Sequence, residues 1–592
     1  MRVCDLIAKF VKETAKVDDV FLVSGGGLMF LTDGLYCNDS INKVCCHHEQ
    51  AAAMSAVGYA KYRGMGCVYL TTGCGGTNAV TALLHAWQDS TPCFFISGQV
   101  KRAQTINYTK IPLRQYGVQE ANITEIVKSI SKYTVVLDKV EDVLYHLEKA
   151  LYLAKTGRPG PVWFDVPMDI QSAKLDDVEL RHFDPAELEG EVKTAITDDE
   201  LKYIEDALNS AKKPLIIAGN GVRCAQAIDL FYDFVHQYQI PVSTSRVGFD
   251  VLPTEDPLYI GRIGNKGTRA GNIVVQNADV ILVLGSRLSV SSIGHEQKLF
   301  AKDAKIIIVD VDKYEHTKPT INIDRVINAD IKDVLQKIKL EKNDHGKWAE
   351  FCANLKVKYP VCLKEYYNDK NGLNLYLFME ELSKYLKKDS VVVADAGSAV
   401  FVTAQGLKTT TREQRYIPSG AQAEMGFTLP GAIGVATAKK GDAIGITGDG
   451  SLQMNIQEFQ TLVHYNAPVK LFVWNNDGYL SIRGTQNVLF GGHHIGTDST
   501  NGVSFPDLKK VAEAYGLKYF KIQKIEDFAK YMPKIMGYKG PVVIEVMCIR
   551  DQDIIPSVGS IKHEDGTFES LPIDNMRPFL TKEELEENIF KG

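Results

Sequence analysis

The sequence predicts an α/β protein built from three doubly wound domains, each containing a parallel sheet. Short runs of β-branched residues alternate with helical patterns, and many of these runs end in glycine, which is typical of parallel strands joined by right-handed crossovers. A length of 592 residues corresponds to about three or four domains of ordinary size. Two charged stretches poor in apolar residues, 173–200 and 337–371, are typical of linkers and leave domains at 1–172, 195–340 and 370–592.

The first domain begins with an amphipathic helix and then alternates strands and helices. A strand at 20–23 ends at the glycines of SGGG (24–27). A helix over about 48–63 follows, then a strand ending in GCGGTN (73–78), a second helix and a strand at 93–97. This alternation predicts a parallel sheet covered by helices.

The second domain contains three apolar strands that each end in a polar or glycine turn: KPLIIAGNGV (213–222), ADVILVLGSRL (278–288) and AKIIIVDVD (304–312). This layout is Rossmann-like. The phosphate fingerprint is incomplete, because Cys224 stands at its third glycine position. We therefore expect a structural central domain rather than a dinucleotide site.

The third domain has strands at 391–395, 443–447 and 469–474, with a helix over about 455–465 between the last two. Like the first domain, it contains about six alternating elements. Neither domain is visibly a copy of the other in sequence.

Composition excludes several classes of protein. The formal charge is −6, from 67 basic and 73 acidic residues, which argues against a nucleic-acid partner. The eleven scattered cysteines contain no CxxC pair, which fits neither a disulfide framework nor a zinc ribbon and favours a reducing compartment. Residues 1–16 lack a signal-peptide core, and no apolar stretch reaches the roughly 18 residues of a membrane span. We expect a cytoplasmic protein that does not bind membranes.

The most informative segment is GDGSLQMNIQEFQTLVHYNAPVKLFVWNN (448–476), a strand–helix–strand unit. Asp449 and Asn476 follow its two strands, so both emerge at the carboxyl edge of the sheet, where open α/β folds bind ligands. With the carbonyl of Gly478 they supply half of the oxygen shell that Mg²⁺ requires, and phosphate oxygens and water can supply the rest. Gly448 and Gly450 allow the backbone to approach a diphosphate at a helix N-terminus. Taken singly, GDG and NN are also ordinary turns.

GDG followed after 24 residues by NN resembles the cofactor motif of thiamine diphosphate-dependent enzymes. Nearly the whole chain is similar to their acetolactate synthase-like branch. The matching segments are VFLVSGGGLMFLTDGL (20–35), HHEQAAAMSAVGYAKYRG (47–64), TTGCGGTNAVTALLHAWQDSTPCFFISGQV (71–100), GRPGPVWFDVPMDIQ (157–171) and AEMGFTLPGAIG (423–434). The resemblance implies a pyrimidine-binding, a central and a diphosphate-binding domain in that order, with thiamine diphosphate and Mg²⁺ as cofactors.

The resemblance also implies roles for individual residues. Glu49 would hydrogen-bond the aminopyrimidine ring and enable loss of the thiazolium C2 proton; its apolar helix would keep the carboxyl partly protonated. The alternative is a glutamate favoured by the helix dipole. Gly26 would offer its amide to the reacting oxygen and Gln119 would lie beside the substrate; a turn glycine and a solvated glutamine are the alternatives. The expected cofactor contacts are Gly397, Ser398, Met425, Gly448, Asp449, Gly450, Ser451, Asn476 and Gly478, of which Asp449, Asn476 and Gly478 would hold the metal.

Met425 resembles the residue that wedges the cofactor into a bent conformation, the alternative being a core methionine. Glu49 and Asp449 are 400 residues apart. The resemblance implies that the pyrimidine domain of one subunit faces the diphosphate domain of another. We therefore expect a homodimer or homotetramer with its sites at the subunit interface.

The expected reaction is decarboxylation of a 2-oxo acid, pyruvate first, with transfer of the remaining acyl-anion equivalent to a second carbonyl. Simple pyruvate decarboxylases carry paired histidines after the strand that ends here at ISGQ, and VKRAQTINYTKIPLRQYGVQE (100–120) has none. Three departures from acetolactate synthases follow: Met168 replaces a lysine, 285–291 lacks the second arginine of an Asp-Asp-Arg run, and Thr485 replaces a tryptophan. The acceptor is therefore left open between a second pyruvate and a sugar carbonyl.

The sequence leaves other activities open. A plain 2-oxo acid decarboxylase and a flavin-dependent oxidase are possible activities; acetolactate synthases often carry FAD in the region matching IGRIGNKGTRAG (260–271), but the departures weigh against it. A non-catalytic thiamine-binding regulator is disfavoured because Glu49, Asp449 and Asn476 are all present. Arg483 would bind an anionic acceptor or lie in solvent, and the lid-like segment GGHHIGTDSTNG (491–502) carries His493 and His494, whose role is open.

Overall fold

The computed structural model describes residues 1–188, 195–341, 345–565 and 567–592. Their main strands form three six-stranded parallel sheets, as the sequence predicts. The first sheet contains β1 (Asp19–Leu22), β2 (Asn42–Cys45), β3 (Gly66–Leu70), β4 (Cys93–Gln99), β5 (Tyr133–Val136) and β6 (Val162–Pro167). The second contains β7 (Pro214–Ala218), β8 (Val242–Thr244), β9 (Tyr259–Arg262), β10 (Val280–Leu284), β11 (Lys305–Asp310) and β12 (Arg325–Asn328). The third contains β13 (Val391–Ala394), β14 (Arg415–Pro418), β15 (Ala443–Gly448), β16 (Val469–Asn475), β17 (Lys518–Ile522) and β18 (Val542–Met547).

The first and third sheets share one topology that the sequence does not reveal. Their orders are β2-β1-β3-β4-β6-β5 and β14-β13-β15-β16-β18-β17, so each reads 2-1-3-4-6-5 from its own first strand. The central order, β12-β11-β10-β7-β8-β9, is the 3-2-1-4-5-6 arrangement of a Rossmann fold. The shared order depends on the alternation of strands and helices, which two unlike sequences can both satisfy.

Helices cover these sheets. In the first domain they are Val3–Glu13, Met29–Tyr36, Glu49–Arg63, Cys74–Asn78, Val80–Gln88, Ile106–Thr109, Ile123–Val127, Val143–Lys155 and Met168–Gln171. The central helices are Asp198–Ser210, Gly221–Cys224, Ile228–Tyr238, Arg269–Asn277, Val290–Ile293, Ile331–Lys337 and Gly346–Lys358. The remaining helices are Leu375–Ser383, Gly397–Gly406, Thr428–Lys439, Asp449–Leu452, Phe459–His464, Leu480–Phe490, Leu508–Ala514, Glu526–Gly537 and Lys582–Glu587. No helix among the described residues is long and apolar enough to cross a membrane.

The helix predicted over 455–465 is broken at its start. A 3₁₀ turn, Ile456–Glu458, precedes the α-helix Phe459–His464. Asn455 is not helical, with φ −138° and ψ 30°, and its side-chain amide donates to the carbonyl of Gly426 at 2.9 Å. A tertiary hydrogen bond that the local pattern cannot reveal therefore delays the helix.

The stretch 337–371 is more than a linker. Its helix Gly346–Lys358 buries Trp348, Cys352 and Leu355, and the Trp348 indole donates to the carbonyl of Pro214 in the central sheet at 2.8 Å. Phe590, near the end of the chain, packs on Trp348 with ring centroids 5.3 Å apart. Residues 189–194 and 342–344, within the two predicted linkers, lie outside the described residues. We propose domains at 1–172, 195–340 and 370–592, with the helix Gly346–Lys358 added to the central domain.

The first and third domains are joined by a close pair of helices, Glu49–Arg63 and Thr428–Lys439. A Cβ atom at Gly58 would lie 2.5 Å from the carbonyl oxygen of Gly431, and one at Gly434 would clash with the carbonyl of Ser55. The missing side chains let the two backbones touch. This contact fixes the position of Glu49, at the start of its helix, relative to the third sheet.

Candidate active site

Glu49 lies at the carboxyl edge of the first sheet, as the first residue of its helix. The preceding His48 caps the helix, because its Nδ1 accepts from the N–H of Gln50 at 3.0 Å. The half-buried Glu49 carboxylate accepts from Asn78 Nδ2 at 3.0 Å. Sequence reasoning missed Asn78, although it is the last residue of GCGGTN (73–78) and ends the helix Cys74–Asn78. Asn78 fixes one carboxylate oxygen of Glu49.

Gly26 and Gln119 lie at the same edge. A Cβ atom at Gly25 would clash with the side chain of Thr71, whereas one at Gly26 would meet nothing within 4 Å. The close packing of Gly25 on Thr71 thus fixes the backbone beside Gly26, and Gly26 itself faces open space. Gln119 is exposed, and its backbone carbonyl packs against Gly73. The structure therefore brings Gly26, Glu49 and Gln119 to one edge, while their chemical roles stay predictions.

Asp449 begins a short helix at the end of β15 and is only 6 % exposed. Its Oδ1 accepts from the N–H of Gly450 at 2.8 Å, and its Oδ2 accepts from the N–H groups of Asn476 at 3.2 Å and Gly478 at 3.1 Å. Burial raises the pKa of Asp449 to about 6, because desolvation disfavours the carboxylate more than these donors stabilise it. A bound divalent cation would favour the ionised form.

The other two predicted metal ligands lie in the turn after β16. Asn476 is buried, and within the described part of the chain its side-chain amide makes no hydrogen bond. Gly478 has φ +130°, and a Cβ atom there would clash with the carbonyl oxygen of Thr497. Its own carbonyl accepts from the N–H of Leu480 at 3.1 Å and keeps a second lone pair. One carboxylate and two neutral oxygens therefore lie on adjacent turns, a donor set that suits Mg²⁺.

Arg483 holds this turn, a role that sequence reasoning missed. Its guanidinium, 1 % exposed, donates to the carbonyls of Asn476 and Asp477, each at 2.9 Å. It also pairs with Asp551 at 2.9 Å. The interpretation of Arg483 as an arginine in solvent is wrong, because its side chain is buried. Binding of an anionic acceptor by Arg483 stays a prediction. A lone arginine gives no local signal of such a tertiary contact.

Met425 projects toward solvent with 38 % of its surface exposed, so it is not a core methionine. The next N–H, of Gly426, donates to the Ser451 hydroxyl at 2.8 Å, and that hydroxyl donates to Asp395 Oδ2 at 2.6 Å. The hydroxyl of Ser451 thus makes its hydrogen bonds within the protein. A contact of Ser451 with the cofactor would come from its backbone.

Gly397 and Ser398 begin the ten-residue helix after β13, at the same edge as Asp449. Ser398 is buried. A Cβ atom at Gly448 would meet nothing within 4 Å, whereas one at Gly450 would clash with the ring of Tyr479. This edge thus combines open backbone with two helix N-termini, which suits a diphosphate.

A buried charge cluster ties the Met425 segment to the first domain. His85 Nδ1 lies 2.5 Å from Glu424 Oε1, and its Nε2 lies 3.2 Å from Asp89 Oδ2. Lys61 Nζ pairs with Asp89 at 2.5 Å. Burial alone would lower the pKa of His85, but the neighbouring Glu424 and Asp89 raise it overall. His85 is therefore stabilised in its charged form.

Of the three departures in the acceptor region, the segment 285–291 lines a cavity that Asp89 of this cluster also lines. Thr485 is exposed, and its hydroxyl donates to the carbonyl of Ser481 at 2.9 Å. Met168 is partly buried. His494 Nε2 lies 2.7 Å from Asn487 Oδ1, and both His493 and His494 are exposed.

A cavity of about 340 Å³ lies at the carboxyl edge of the central sheet. Among the described residues it is lined by Gly285 and Asp310 at the carboxyl ends of central strands, by Arg158 of the first domain and by Gly420 of the third. The 260–271 segment, where FAD was expected, does not line it. Arg158, Arg246 and Arg287 give it a basic character beside the acidic residues.

Comparison with known proteins identifies three domains in this chain. Residues 1–126 match the thiamine pyrophosphate enzyme N-terminal TPP binding domain, 201–338 the central domain and 395–546 the C-terminal TPP binding domain. The chain belongs to the thiamine pyrophosphate-dependent enzymes, which confirms the predicted enzyme class and thiamine diphosphate as a cofactor.

Within that class, the chain is similar to acetolactate synthase large subunits. It is 30 % identical to that of Lactococcus lactis over 96 % of this chain and 97 % of the relative. It is 30 % identical to that of Haemophilus influenzae, over 89 % and 91 %. It is 29 % identical to the isozyme 2 large subunit of Escherichia coli, over 92 % and 95 %. The predicted acetolactate synthase-like relationship is confirmed.

Proposed function

We propose that this enzyme decarboxylates a 2-oxo acid, pyruvate first, and transfers the acyl-anion equivalent to a second carbonyl. The observation that carries the proposal is the binding of one Asp449 oxygen to the N–H groups of Asn476 and Gly478 across adjacent strand ends. This contact aligns three oxygen ligands for Mg²⁺ at an edge suited to a diphosphate. Thiamine diphosphate, when bound, supplies the electron sink for decarboxylation.

The chain supplies binding, orientation and proton transfer. Asp449, Asn476 and Gly478 would hold Mg²⁺ against the diphosphate oxygens. Glu49 would hydrogen-bond the aminopyrimidine and promote loss of the C2 proton, with Asn78 fixing its second oxygen. The open amide of Gly26 would stabilise negative charge on the substrate oxygen, and Gln119 would bind the substrate.

We infer a homodimer or homotetramer with its sites at the interface. Within the described residues, no hydrogen bond or ion pair links Glu49 to the Asp449 turn. Large apolar side chains are exposed both in the first domain, which carries Glu49, and in the third domain, which carries the Asp449 turn. They are Tyr108, Ile111, Tyr116 and Val118 after β4, and Val488, Leu489, Phe490 and Ile495 after the metal turn. A second copy of the chain would cover both sets, which explains their exposure in a single chain.

The acceptor is a second pyruvate or a sugar carbonyl. The exposed Thr485 and the partly buried Met168 support an acceptor pocket of different shape and charge from that of acetolactate synthases. The test is incubation with thiamine diphosphate, Mg²⁺ and labelled pyruvate, with and without ketose or nucleotide-sugar acceptors, followed by mass analysis. Rapid formation of acetolactate from pyruvate alone would contradict the sugar acceptor. Acetaldehyde as the main product would contradict carboligation and favour plain decarboxylation.

A flavin-dependent 2-oxo acid oxidase is the second candidate, favoured by the basic cavity beside the central sheet. Its mark would be a flavin absorption spectrum in the purified protein and hydrogen peroxide formed from pyruvate. A colourless protein that forms the carboligation product would contradict it. All eleven cysteines are free, which supports the cytoplasm as the proposed location.

A further inference from the structure

Glu458 is buried, with no exposed surface, and its carboxylate faces the loop that leads to Glu49. Its Oε1 accepts from the backbone N–H groups of His47 and His48, each at 3.1 Å. Its Oε2 accepts from the Thr461 hydroxyl at 2.5 Å. A buried carboxylate shared between two adjacent backbone donors fixes their orientation, because leaving either donor unpaired would cost free energy.

The position of Glu458 links two parts of the active site. It lies in the crossover that begins at Asp449 after β15 and leads into β16, and Asn476 follows the carboxyl end of β16. The Tyr465 hydroxyl, from the same crossover, accepts from the N–H of Cys45 at 2.7 Å. The crossover that begins at the proposed metal ligand Asp449 therefore also holds the loop that ends at Glu49.

We propose that Glu458 is a positioning residue that sets the orientation of Glu49. The inference rests on the proposed function, in which Glu49 of one chain serves the cofactor held by another. Glu458 then couples the domain that binds the diphosphate in one site to proton transfer in the neighbouring site. It acts through the backbone of His47 and His48 and touches neither substrate nor cofactor.

The first test measures deuterium exchange at C2 of bound thiamine diphosphate, together with cofactor affinity. Glu458→Ala should slow exchange at least about tenfold, as expected for a misplaced acid–base group, with cofactor affinity nearly unchanged. Glu458→Gln should keep near-normal exchange, because its amide oxygen can accept both backbone N–H groups and its amide nitrogen can donate to Thr461. If Glu458→Ala does not fold, Glu458→Asp, which withdraws the carboxylate by one methylene, should also slow exchange.

Mixed assemblies locate the effect. Two differently tagged chains are co-expressed, and mixed assemblies are isolated by sequential affinity purification. With Asp449→Ala on one chain and Glu458→Ala on the other, the intact diphosphate domain receives Glu49 from the chain that keeps Glu458, so exchange should persist. With both substitutions on one chain and a wild-type partner, the intact domain receives a misplaced Glu49, so exchange should be slow.

The opposite pattern, or normal exchange in Glu458→Ala, would overturn the proposal. An opposite pattern would mean that Glu458 supports the cofactor of its own domain. Glu49→Gln separates this failure from failure of the proposed function. If Glu49→Gln keeps normal exchange, the role of Glu49 is wrong; if it stops exchange while Glu458→Ala does not, only the positioning role of Glu458 fails. Glu513→Ala, at an exposed glutamate in the same domain, is the matched control and should change nothing.

Discussion

Arg483 donates through its guanidinium to the backbone carbonyl of Asn476 at 2.9 Å. The contact is buried, and a second nitrogen binds the carbonyl of Asp477 at the same distance. Arginine can hold two carbonyls at once because its donors form a planar fork. The side chain therefore fixes the turn that places two proposed metal ligands beside Asp449.

Replacing Arg483 by lysine should weaken Mg²⁺ binding about tenfold, because a compact ammonium cannot reproduce the forked contact and lost supporting contacts of metal sites typically cost 10–100-fold. Isothermal titration of Mg²⁺ in the presence of thiamine diphosphate measures the change. Arg412→Lys, at a partly exposed arginine that pairs with Asp229, is the control. Unchanged Mg²⁺ affinity in Arg483→Lys would contradict the role assigned to this arginine.

Replacing Gly478 by alanine should destabilise the metal turn by about 1–3 kcal/mol, the usual cost of a strained backbone conformation. The new methyl group would also clash with the carbonyl of Thr497. Thermal unfolding with and without Mg²⁺ and cofactor measures the effect, and the variant should lose much of the ligand-induced stabilisation. Gly537→Ala, where a Cβ atom meets nothing within 4 Å, should leave that stabilisation intact. Equal behaviour of both variants would show that the turn tolerates a side chain.

The contact between the first and third domains should weaken as the pH rises through the folded-state pKa of His85. The pKa of His85 is raised above its ordinary value of 6.5. Charged His85 therefore adds stability that is complete below pH 6.5 and is lost as the pH rises through the folded-state pKa. Thermal unfolding midpoints from pH 6 upward should fall less steeply in His85→Asn than in the wild type. Parallel pH profiles would contradict the charged state of His85.

Glu49→Gln should abolish turnover and leave cofactor anchoring largely intact. Glutamine keeps the side chain's size but cannot exchange a proton with the aminopyrimidine. Turnover with pyruvate and titration with thiamine diphosphate separate the two effects. Full activity in the variant would disprove the proton-transfer role, while equal loss of binding would assign Glu49 to anchoring.

Sequence reasoning succeeded where a few neighbouring residues determine the structure. Asp449 and Asn476 directly follow two parallel strands joined by one crossover, so their shared edge follows from the handedness of parallel connections. The roles of Arg483 and Glu458 could not be predicted, because they depend on backbone groups that only the folded chain brings to them. The burial of Trp348 could not be predicted for a related reason: its apolar stripe lies within a charged stretch, and the central sheet that covers it is distant in sequence.

The most direct test of the account is complementation between two inactive chains. Asp449→Ala removes the metal ligand from one chain, and Glu49→Gln removes the proton-transfer group from the other. Each variant alone should be inactive. The mixed assembly, isolated through two affinity tags, should recover about half of the wild-type activity, because one of the two sites at the two-fold interface combines an intact Asp449 with an intact Glu49. A mixed assembly as inactive as its parents would contradict the shared site.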